Sequence, residues 1–350
     1  MNGIIASARA SRSMPLTETL VGLLSHEQYL PHVGAEKRGY MICLGSAPSN
    51  ARLSPLTVGA YPRYNRPFIS PGAATPVSVL QLPKLPGAAG KQHWGNLPGA
   101  ALSLAIAEAA SAAKRFTLLL TADSQSAERL QEELAFFAPD LPVLHFPDWE
   151  TLPYDVFSPH QDIISQRIAT LYRLPEIKHG VLVVPIATAL HRLAPTRFLL
   201  GSGLLLDVGQ KLDVEEMRAR LEAAGYRCVD TVYEHGEFAV RGALIDLFPM
   251  GSETPYRIDL FDDEIETLRT FDPETQRSVD KVESIRLLPA REFPLEKKAV
   301  TDFRGRFRER FDVDFRRCPI YQDLASGITP AGIEYYLPLF FEETGTLSTT

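Results

Sequence analysis

The stretch FTLLLTADSQSAERLQEELAFFAPDLPVLHF, residues 116–146, decides the fold class of this chain. It opens with a short apolar run (FTLLLT) that has the length of a buried strand. An amphipathic helix is predicted over 124–137, with Ser124 as its N-cap, and a second apolar run follows at 142–146. The alternation of strand and helix continues to the buried run GVLVVP at 180–185 and predicts βαβ units with a parallel sheet.

The pattern changes after about Gly203. A strand at 203–208 and a helix at 214–224 precede several strands in succession, with turn clusters between them. Such a run is typical of a small α+β module. Two prolines, Pro289 and Pro294, mark its end. The strands predicted in this module cover residues 226–233, 237–248, 256–261, 265–271 and 282–287.

The first 76 residues differ in composition from the rest. They carry a net charge of +4, whereas residues 77–350 carry −11. Eight prolines, seven glycines and no sustained periodicity predict a disordered arm. The apolar runs at 4–6 and 20–24 are shorter than the roughly 7–15 residues of a signal-peptide core. We favour a mis-annotated extension, translated from upstream of a true start at Val77, over a working arm.

Composition excludes several classes of protein. The three cysteines, Cys43, Cys228 and Cys318, lie far apart, which excludes a disulfide scaffold and a Cys-x-x-Cys metal or redox site. No apolar run approaches the roughly 20 residues that span a bilayer, so no membrane partner and a cytoplasmic location are expected. The histidines are not placed beside a recognisable nucleophile, and we assign no catalytic residue and no metal ligand.

A nucleotide-binding loop is the first candidate site. A P-loop has the pattern G-x-x-x-x-G-K-[ST], in which amides and lysine hold phosphates and the hydroxyl binds Mg²⁺. The segment that precedes the first helix of the α/β part begins at Gly95 and contains Gly99. Ala100, Ala101 and Leu102 stand where the second Gly, the Lys and the Ser/Thr belong. We predict either a degenerate P-loop or an ordinary helix start, and neither would hydrolyse ATP.

An acidic stretch, DLFDDE at 259–264, has two interpretations. Its carboxylates resemble the end of a Walker B strand and could hold a divalent cation. Alternatively they form the turn of a hairpin between the strands at 256–261 and 265–271. We favour the hairpin, because it accounts for both flanks and because solvated acids in a turn need no ligand.

The loop at 149–155, WETLPYD, combines aromatic residues and proline with acids. It can form a binding ledge, or it can pack back on the sheet. We favour the packed loop, because loops so rich in apolar residues usually bury them.

The strand at 256–261 offers a candidate binding surface. Period-two alternation places its aliphatic residues on one face and Arg257, Asp259 and Phe261 on the other. If the aliphatic face is the core, Arg257 and Phe261 point outward together, and both residue types are enriched at protein interfaces. The pattern alone leaves open that a neighbouring helix covers Phe261.

Six long motifs point to one family. They are WETLPYD (149–155), FSPHQDIISQR (157–167), EHGEFAVRGALIDLFPMGS (234–252), PYRIDLFDDEIETLR (255–269), LPAREFP (288–294) and TPAGIEYYLPLFF (329–341). Together they resemble the N-terminal region of bacterial transcription-repair coupling factor, Mfd. The resemblance runs from about Val79 to Glu343, and the family also resembles the excision-repair protein UvrB over this region.

The resemblance implies a UvrB-like α/β fold with a degenerate P-loop and a parallel sheet. The α/β domain would occupy 77–202, a small inserted α+β domain 203–288, and the start of a returning domain 289–350. In the family the inserted domain is the docking platform for UvrA. Its docking residues fall here on Arg241, Arg257 and Phe261.

The resemblance also implies a function, that of a UvrA-recruiting adaptor in transcription-coupled nucleotide excision repair. The full-length family uses ATP and Mg²⁺ to translocate on DNA and displace stalled RNA polymerase. This chain carries no motor motifs, so we expect no cofactor and no enzymatic activity, and RNA polymerase and DNA would be bound by segments that it lacks. We interpret it as a fragment or truncated reading frame whose UvrA surface, without the family's C-terminal mask, is permanently open.

Two other functions remain as alternatives. A UvrB-like DNA-dependent ATPase would need a P-loop lysine and later motor motifs. Direct DNA binding could use the locally basic helix predicted at 303–317, which we favour as a solvated charged helix. The charge of −11 over residues 77–350 opposes DNA binding, because phosphate contacts dominate such affinity.

Overall fold

The structure is a computed structural model that describes residues 3–5, 41–44, 92–95, 97–153 and 155–347. Within these ranges, no helix is long and apolar enough to cross a membrane. Where it is described, the first part of the chain forms six strands: β1 Gly3–Ile5, β2 Met41–Leu44, β3 Gln92–Trp94, β4 Phe116–Thr121, β5 Val143–His145 and β6 Gly180–Pro185. The described residues of this part also form five helices: α1 Ala101–Ala113, α2 Ser124–Phe137, α3 Gln161–Arg173, α4 Ile186–Ala189 and α5 Thr196–Gly201.

These six strands form one sheet in the order β3-β1-β2-β4-β6-β5. Strands β2, β4, β6 and β5 are parallel, whereas β1 pairs antiparallel with β2 and β3. Both faces of the sheet are covered. On β4, Leu119 packs against α1 and α2, while Leu118 and Leu120 pack with residues of α3, α4 and α5. Burial on both faces explains why β4 and β6 are continuous apolar runs.

Two predictions about this part need correction. Helix α2 is capped by Asp123 rather than Ser124, because the Asp123 side chain accepts a hydrogen bond from the Ser126 amide at 2.7 Å. Hydrogen bonds from the side chain and the amide of Ser126 lower the pKa of Asp123. Within the first 76 residues, the backbones of β1 and β2 are strands of the sheet, so a wholly irregular arm is wrong for those seven residues. The rest of that segment lies outside the described residues.

The middle part of the chain adds one helix, α6 Val214–Ala223, and eight strands. The strands are β7 Leu204–Asp207, β8 Arg227–Cys228, β9 Glu237–Arg241, β10 Leu244–Leu247, β11 Tyr256–Phe261, β12 Glu264–Phe271, β13 Ser278–Val282 and β14 Ser284–Leu287. Six of them form a sheet in the order β13-β12-β11-β10-β9-β8. Strands β7 and β14 pair with each other, so the chain enters and leaves this module side by side.

Three of the predicted strands are longer than the strands in the structure. The segment at 237–248 is a hairpin, because Gly242 adopts a φ of 64° and turns the chain between β9 and β10. The segment at 282–287 is divided between the end of β13 and β14. Of the segment at 226–233 only β8 is a strand, and Val232 beyond it packs on the sheet beside Phe271.

The inner face of this second sheet is shared with the first part of the chain. Ile245 and Ile258 of the sheet pack in one buried cluster with Leu221 of α6 and with Ile164 and Ile168 of α3. Because one core joins both units, the inserted module is fixed on α3 and its outer face is left for other contacts.

The last part of the chain packs as a separate aromatic cluster. Helix α7 spans Lys297–Arg310 and helix α8 spans Pro319–Ala325, and a 3-10 segment follows at Ile333–Phe340. The basic segment predicted at 303–317 is not one helix, because α7 ends at Arg310 and Phe315–Arg317 is a separate 3-10 turn. The buried aromatic residues of the cluster are Phe293, Phe303, Phe307, Tyr321 and Phe340.

At Gly332 the backbone of this last part packs closely against the loop after β5. It has a φ of 77°, and a Cβ there would lie 2.5 Å from the backbone oxygen of Asp155. We expect Gly332→Ala to lower the free energy of unfolding by about 1–3 kcal/mol, the usual cost of such backbone strain. Urea titration measures this change.

Gly305, in the middle of α7, provides the matched control. A Cβ at Gly305 would meet nothing within 4 Å, and its φ is helical. Gly305→Ala should therefore raise the free energy of unfolding by about 0.5–1 kcal/mol. Equal effects of the two substitutions would contradict the role given to Gly332.

Candidate docking surface on the inserted domain

The hairpin of β11 and β12 presents the candidate surface. Its two-residue turn is Asp262 and Asp263, and Asp262 adopts a φ of 58°. Lys211 donates to Asp263 at 2.7 Å, and this hydrogen bond lowers the pKa of the Asp263 carboxyl. The hairpin interpretation of the acidic stretch is confirmed. Within the described residues, no cluster of His, Cys, Asp or Glu is arranged to hold a metal ion.

Phe261 closes β11 beside this turn, opposite Glu264. Its residue surface is 74% exposed, so the alternative in which a helix covers it is wrong. An aromatic ring this exposed gains nothing from the core of the domain. It is available to fill an apolar pocket on a partner.

Arg257 lies on the same face of β11, but it is not free. Its Nε and Nη2 donate to the two carboxylate oxygens of Asp246, at 2.7 and 2.9 Å. Its side chain is 15% exposed, and the hydrogen bond to Asp246 raises its pKa. The prediction that Arg257 shares the outer sheet face with Phe261 is right. The expectation that its guanidinium is free to contact a partner is wrong. The two are four positions apart along the strand, about 13 Å.

Arg241, at the end of β9, contacts the same Asp246. Its Nη2 donates to Oδ2 of Asp246, and its side chain is 46% exposed. The structure therefore brings Arg241 and Arg257 together on one buried carboxylate, with Phe261 farther along the face. Asp246 was missed from the sequence, where it is a lone acid in the apolar strand LIDL.

A groove of about 530 Å³ runs along this face. Among its lining residues are Arg241, Asp259, Arg269 and Lys281. Register places Arg269 opposite Arg257 on one side and Lys281 on the other, so three cations stand side by side across three strands. The buried Nε of Arg269 has no hydrogen-bond partner in the part of the chain that is described. Of these three cations, Arg257 is engaged by Asp246, and the exposed Lys281 is suited to a carboxylate of a partner; Asp259 and Glu266 also line the groove.

The degenerate P-loop residues lie elsewhere, at the start of α1. Gly95 follows β3, and Gly99 adopts a φ of 56° just before the helix. Ala100 is the N-cap, and Ala101 and Leu102 are the first helical residues. None of these three side chains can hold a phosphate or a magnesium ion, in keeping with the degenerate pattern. The absence of ATP hydrolysis stays a prediction.

The WETLPYD loop is only partly packed. Trp149 is buried between the rings of His191 and Tyr335, with centroids at 4.8 and 5.0 Å. Its indole N–H donates to Glu292 at 3.3 Å. Leu152 is 69% exposed, so the expectation of a fully packed loop holds for Trp149 and fails for Leu152. Tyr154 lies outside the described residues.

Comparison with known proteins agrees with this architecture. Residues 204–293 match the family described as the UvrB interaction domain. The chain is 52% identical over 260 residues to the transcription-repair-coupling factor of Escherichia coli (strain K12), which covers 74% of this chain and 23% of that protein. It is 50% identical over 255 residues to that of Haemophilus influenzae (strain ATCC 51907 / DSM 11121 / KW20 / Rd), which covers 72% and 22%.

The fold and these matches define a mixed α/β protein of UvrB-like fold that carries a UvrB interaction domain. More particularly, the chain is similar to the N-terminal region of the transcription-repair coupling factors, and the family resemblance of its motifs is confirmed. The chain spans less than a quarter of the length of the two relatives just named.

Proposed function

We propose that this chain docks UvrA in transcription-coupled nucleotide excision repair, as a non-catalytic adaptor. The observation that carries the proposal is the outer face of the inserted domain, where the exposed Phe261 ring and the arginine pair on Asp246 lie on one sheet. The matched UvrB interaction domain supports it, because residues 204–293 include all of these side chains.

The chemistry of the surface supports a protein partner rather than a small molecule. Aromatic and arginine side chains are the residue types that anchor protein interfaces. The cations of the groove fit acidic side chains of UvrA, and Phe261 fits an apolar pocket. This docking requires no cofactor, metal or hydrolysis. Translocation on DNA, release of RNA polymerase and use of ATP and Mg²⁺ belong to the full-length family, and we assign none of them to this surface.

The direct test is binding of the 350-residue chain to UvrA. It is measured by isothermal titration calorimetry or surface plasmon resonance at physiological ionic strength. Saturable one-to-one binding supports the adaptor function. A folded chain that shows no binding at micromolar UvrA contradicts it.

Lys281 provides a prediction about the groove. It is exposed on β13 and lines the groove beside Arg269. If acids of UvrA occupy the groove, Lys281→Glu should weaken binding about tenfold, mainly through slower association, because like charges then oppose each other. Lys298→Glu, at another exposed lysine on α7, is the control and should leave binding unchanged. Equal effects of the two substitutions would indicate net charge rather than docking.

A further inference from the structure

We infer that Asp246 is a positioning residue for docking: it holds the Arg241 guanidinium at the groove, and Arg257 acts through Asp246 rather than by its own contact with the partner. The inference rests on the proposed function. It gives Arg241 and Arg257 different roles, although the family resemblance names both as docking residues. Three observations support it: Asp246 is buried, the hydrogen-bond donors of Arg257 are engaged within the domain, and Arg241 is exposed.

Asp246 sits in the middle of the sheet, opposite Ala239 of β9 and Arg257 of β11. Its side chain is fully buried, with 0% exposed. A carboxylate buried in this way is retained only when charged or polar partners surround it. Its Oδ1 accepts from Arg257, and its Oδ2 accepts from both Arg257 and Arg241. The position of the carboxylate is therefore set by the two guanidinium groups.

Arg257 uses most of its hydrogen-bonding capacity inside the domain. Beyond the two bonds to Asp246, its Nη1 donates to the backbone oxygen of Gln276 at 3.2 Å and to Oγ of Ser278 at 3.3 Å. Its guanidinium also lies 5.0 Å from the centre of the Phe271 ring. A guanidinium has five N–H donors, so four of them are engaged here. Arg257 thus holds Asp246 and the turn before β13 in place. It has few N–H donors left for a partner.

Arg241 is in the opposite situation. Among the described residues, Asp246 is the one hydrogen-bonding partner of its guanidinium, and nearly half of its side chain is exposed along the groove. A long side chain that is already held in place loses less freedom on binding. Such preorganisation strengthens binding by about two- to tenfold for each side chain. Arg241 is thus the cation that meets the partner, and the Asp246–Arg257 pair sets its position.

A double-mutant cycle with UvrA affinity as the readout tests the inference. Arg257→Lys keeps the charge but loses the paired hydrogen bonds to Asp246, and Asp246→Asn weakens the hold on both arginines. The effect of each change on UvrA affinity is measured in three backgrounds of the full 350-residue chain. These are the wild type, the Arg241→Ala variant and the Phe261→Ala variant. Circular dichroism and thermal unfolding check that each chain is folded, and Arg257→Lys keeps the test open if Asp246→Asn does not fold.

The expected result is specific to one background. Each of the two changes should weaken binding about tenfold in the wild-type chain and in the Phe261→Ala chain, and less than twofold once Arg241 is alanine. A tenfold loss in all three backgrounds would mean direct contact by Arg257 or a general loosening of the surface, and would overturn the inference. So would no loss in any background. If the wild-type chain fails to bind UvrA while Arg241→Ala and wild type are equally folded, the proposed function falls as well.

Discussion

Replacement of Glu292 by alanine should lower the free energy of unfolding by about 3–5 kcal/mol, the range measured when one partner of a buried ion pair is removed. Glu292 accepts hydrogen bonds from Nε and Nη2 of Arg167 at 2.6 and 3.2 Å. Both side chains are almost fully buried, at 2% and 0% exposed. The variant would leave the Arg167 charge in the interior, where the Pro147 carbonyl at 2.8 Å is the one acceptor that remains among the described residues.

A double replacement separates the loss of pairing from the loss of packing. Arg167→Met with Glu292→Leu removes both charges and keeps apolar volume between Phe146 and Trp149, whose rings lie 4.2 and 4.8 Å from the guanidinium carbon. We expect the double variant to be more stable than Glu292→Ala in urea titrations at neutral pH, because no charge remains buried and unpaired. A loss below about 1 kcal/mol for Glu292→Ala would show that water reaches Arg167.

This ion pair also explains how the inserted domain is held. Arg167 is on α3, and Glu292 follows the strand by which the chain leaves the inserted domain. The same helix contributes Ile164 and Ile168 to the core of that domain. Helix α3 therefore contacts the inserted domain through apolar side chains, and it contacts the segment that follows that domain through Glu292. A defect in the pair should affect UvrA binding only in so far as it unfolds the protein.

The alternation of strands and helices could be predicted because each element of the α/β part has its own local pattern. The run FTLLLT becomes β4 without change of its bounds, since burial on both faces requires an uninterrupted apolar strand. The hairpin at 237–248 was missed because its turn consists of only two residues, Gly242 and Ala243, between two strands of similar composition. A glycine with positive φ is the usual signal for such a turn.

The candidate docking surface was less predictable than the fold, for a reason that Asp246 illustrates. Family resemblance gave Arg241, Arg257 and Phe261, and strand alternation agreed for the last two. Neither could show that both arginines converge on one carboxylate, because that contact depends on the register of three strands. The cation row of Arg269 and Lys281 depends on the same register. Local patterns determine which face a side chain takes, but not its neighbour across the sheet.

Phe261→Ala is the second large effect expected, on binding rather than on stability. Removal of an aromatic anchor at an interface costs at least about 2 kcal/mol, which is roughly a 30-fold increase in Kd. Because Phe261 is 74% exposed in the free chain, its loss should change the free energy of unfolding by less than about 0.5 kcal/mol. Calorimetric titration with UvrA and a urea titration of the same preparation measure the two quantities.

Phe136 supplies the matched control, because it is also an exposed phenylalanine, 80% accessible, on α2 of the other domain. Phe136→Ala removes the same ring from a surface to which we assign no partner, so UvrA affinity should stay within about twofold of wild type. If both variants weaken binding alike, general surface hydrophobicity would explain the loss. If neither does, the Phe261 ring is not an anchor, and docking would have to rest on the groove cations, whose contribution Lys281→Glu measures separately. A loss confined to Phe261→Ala places the apolar contact of the partner at the β11–β12 turn.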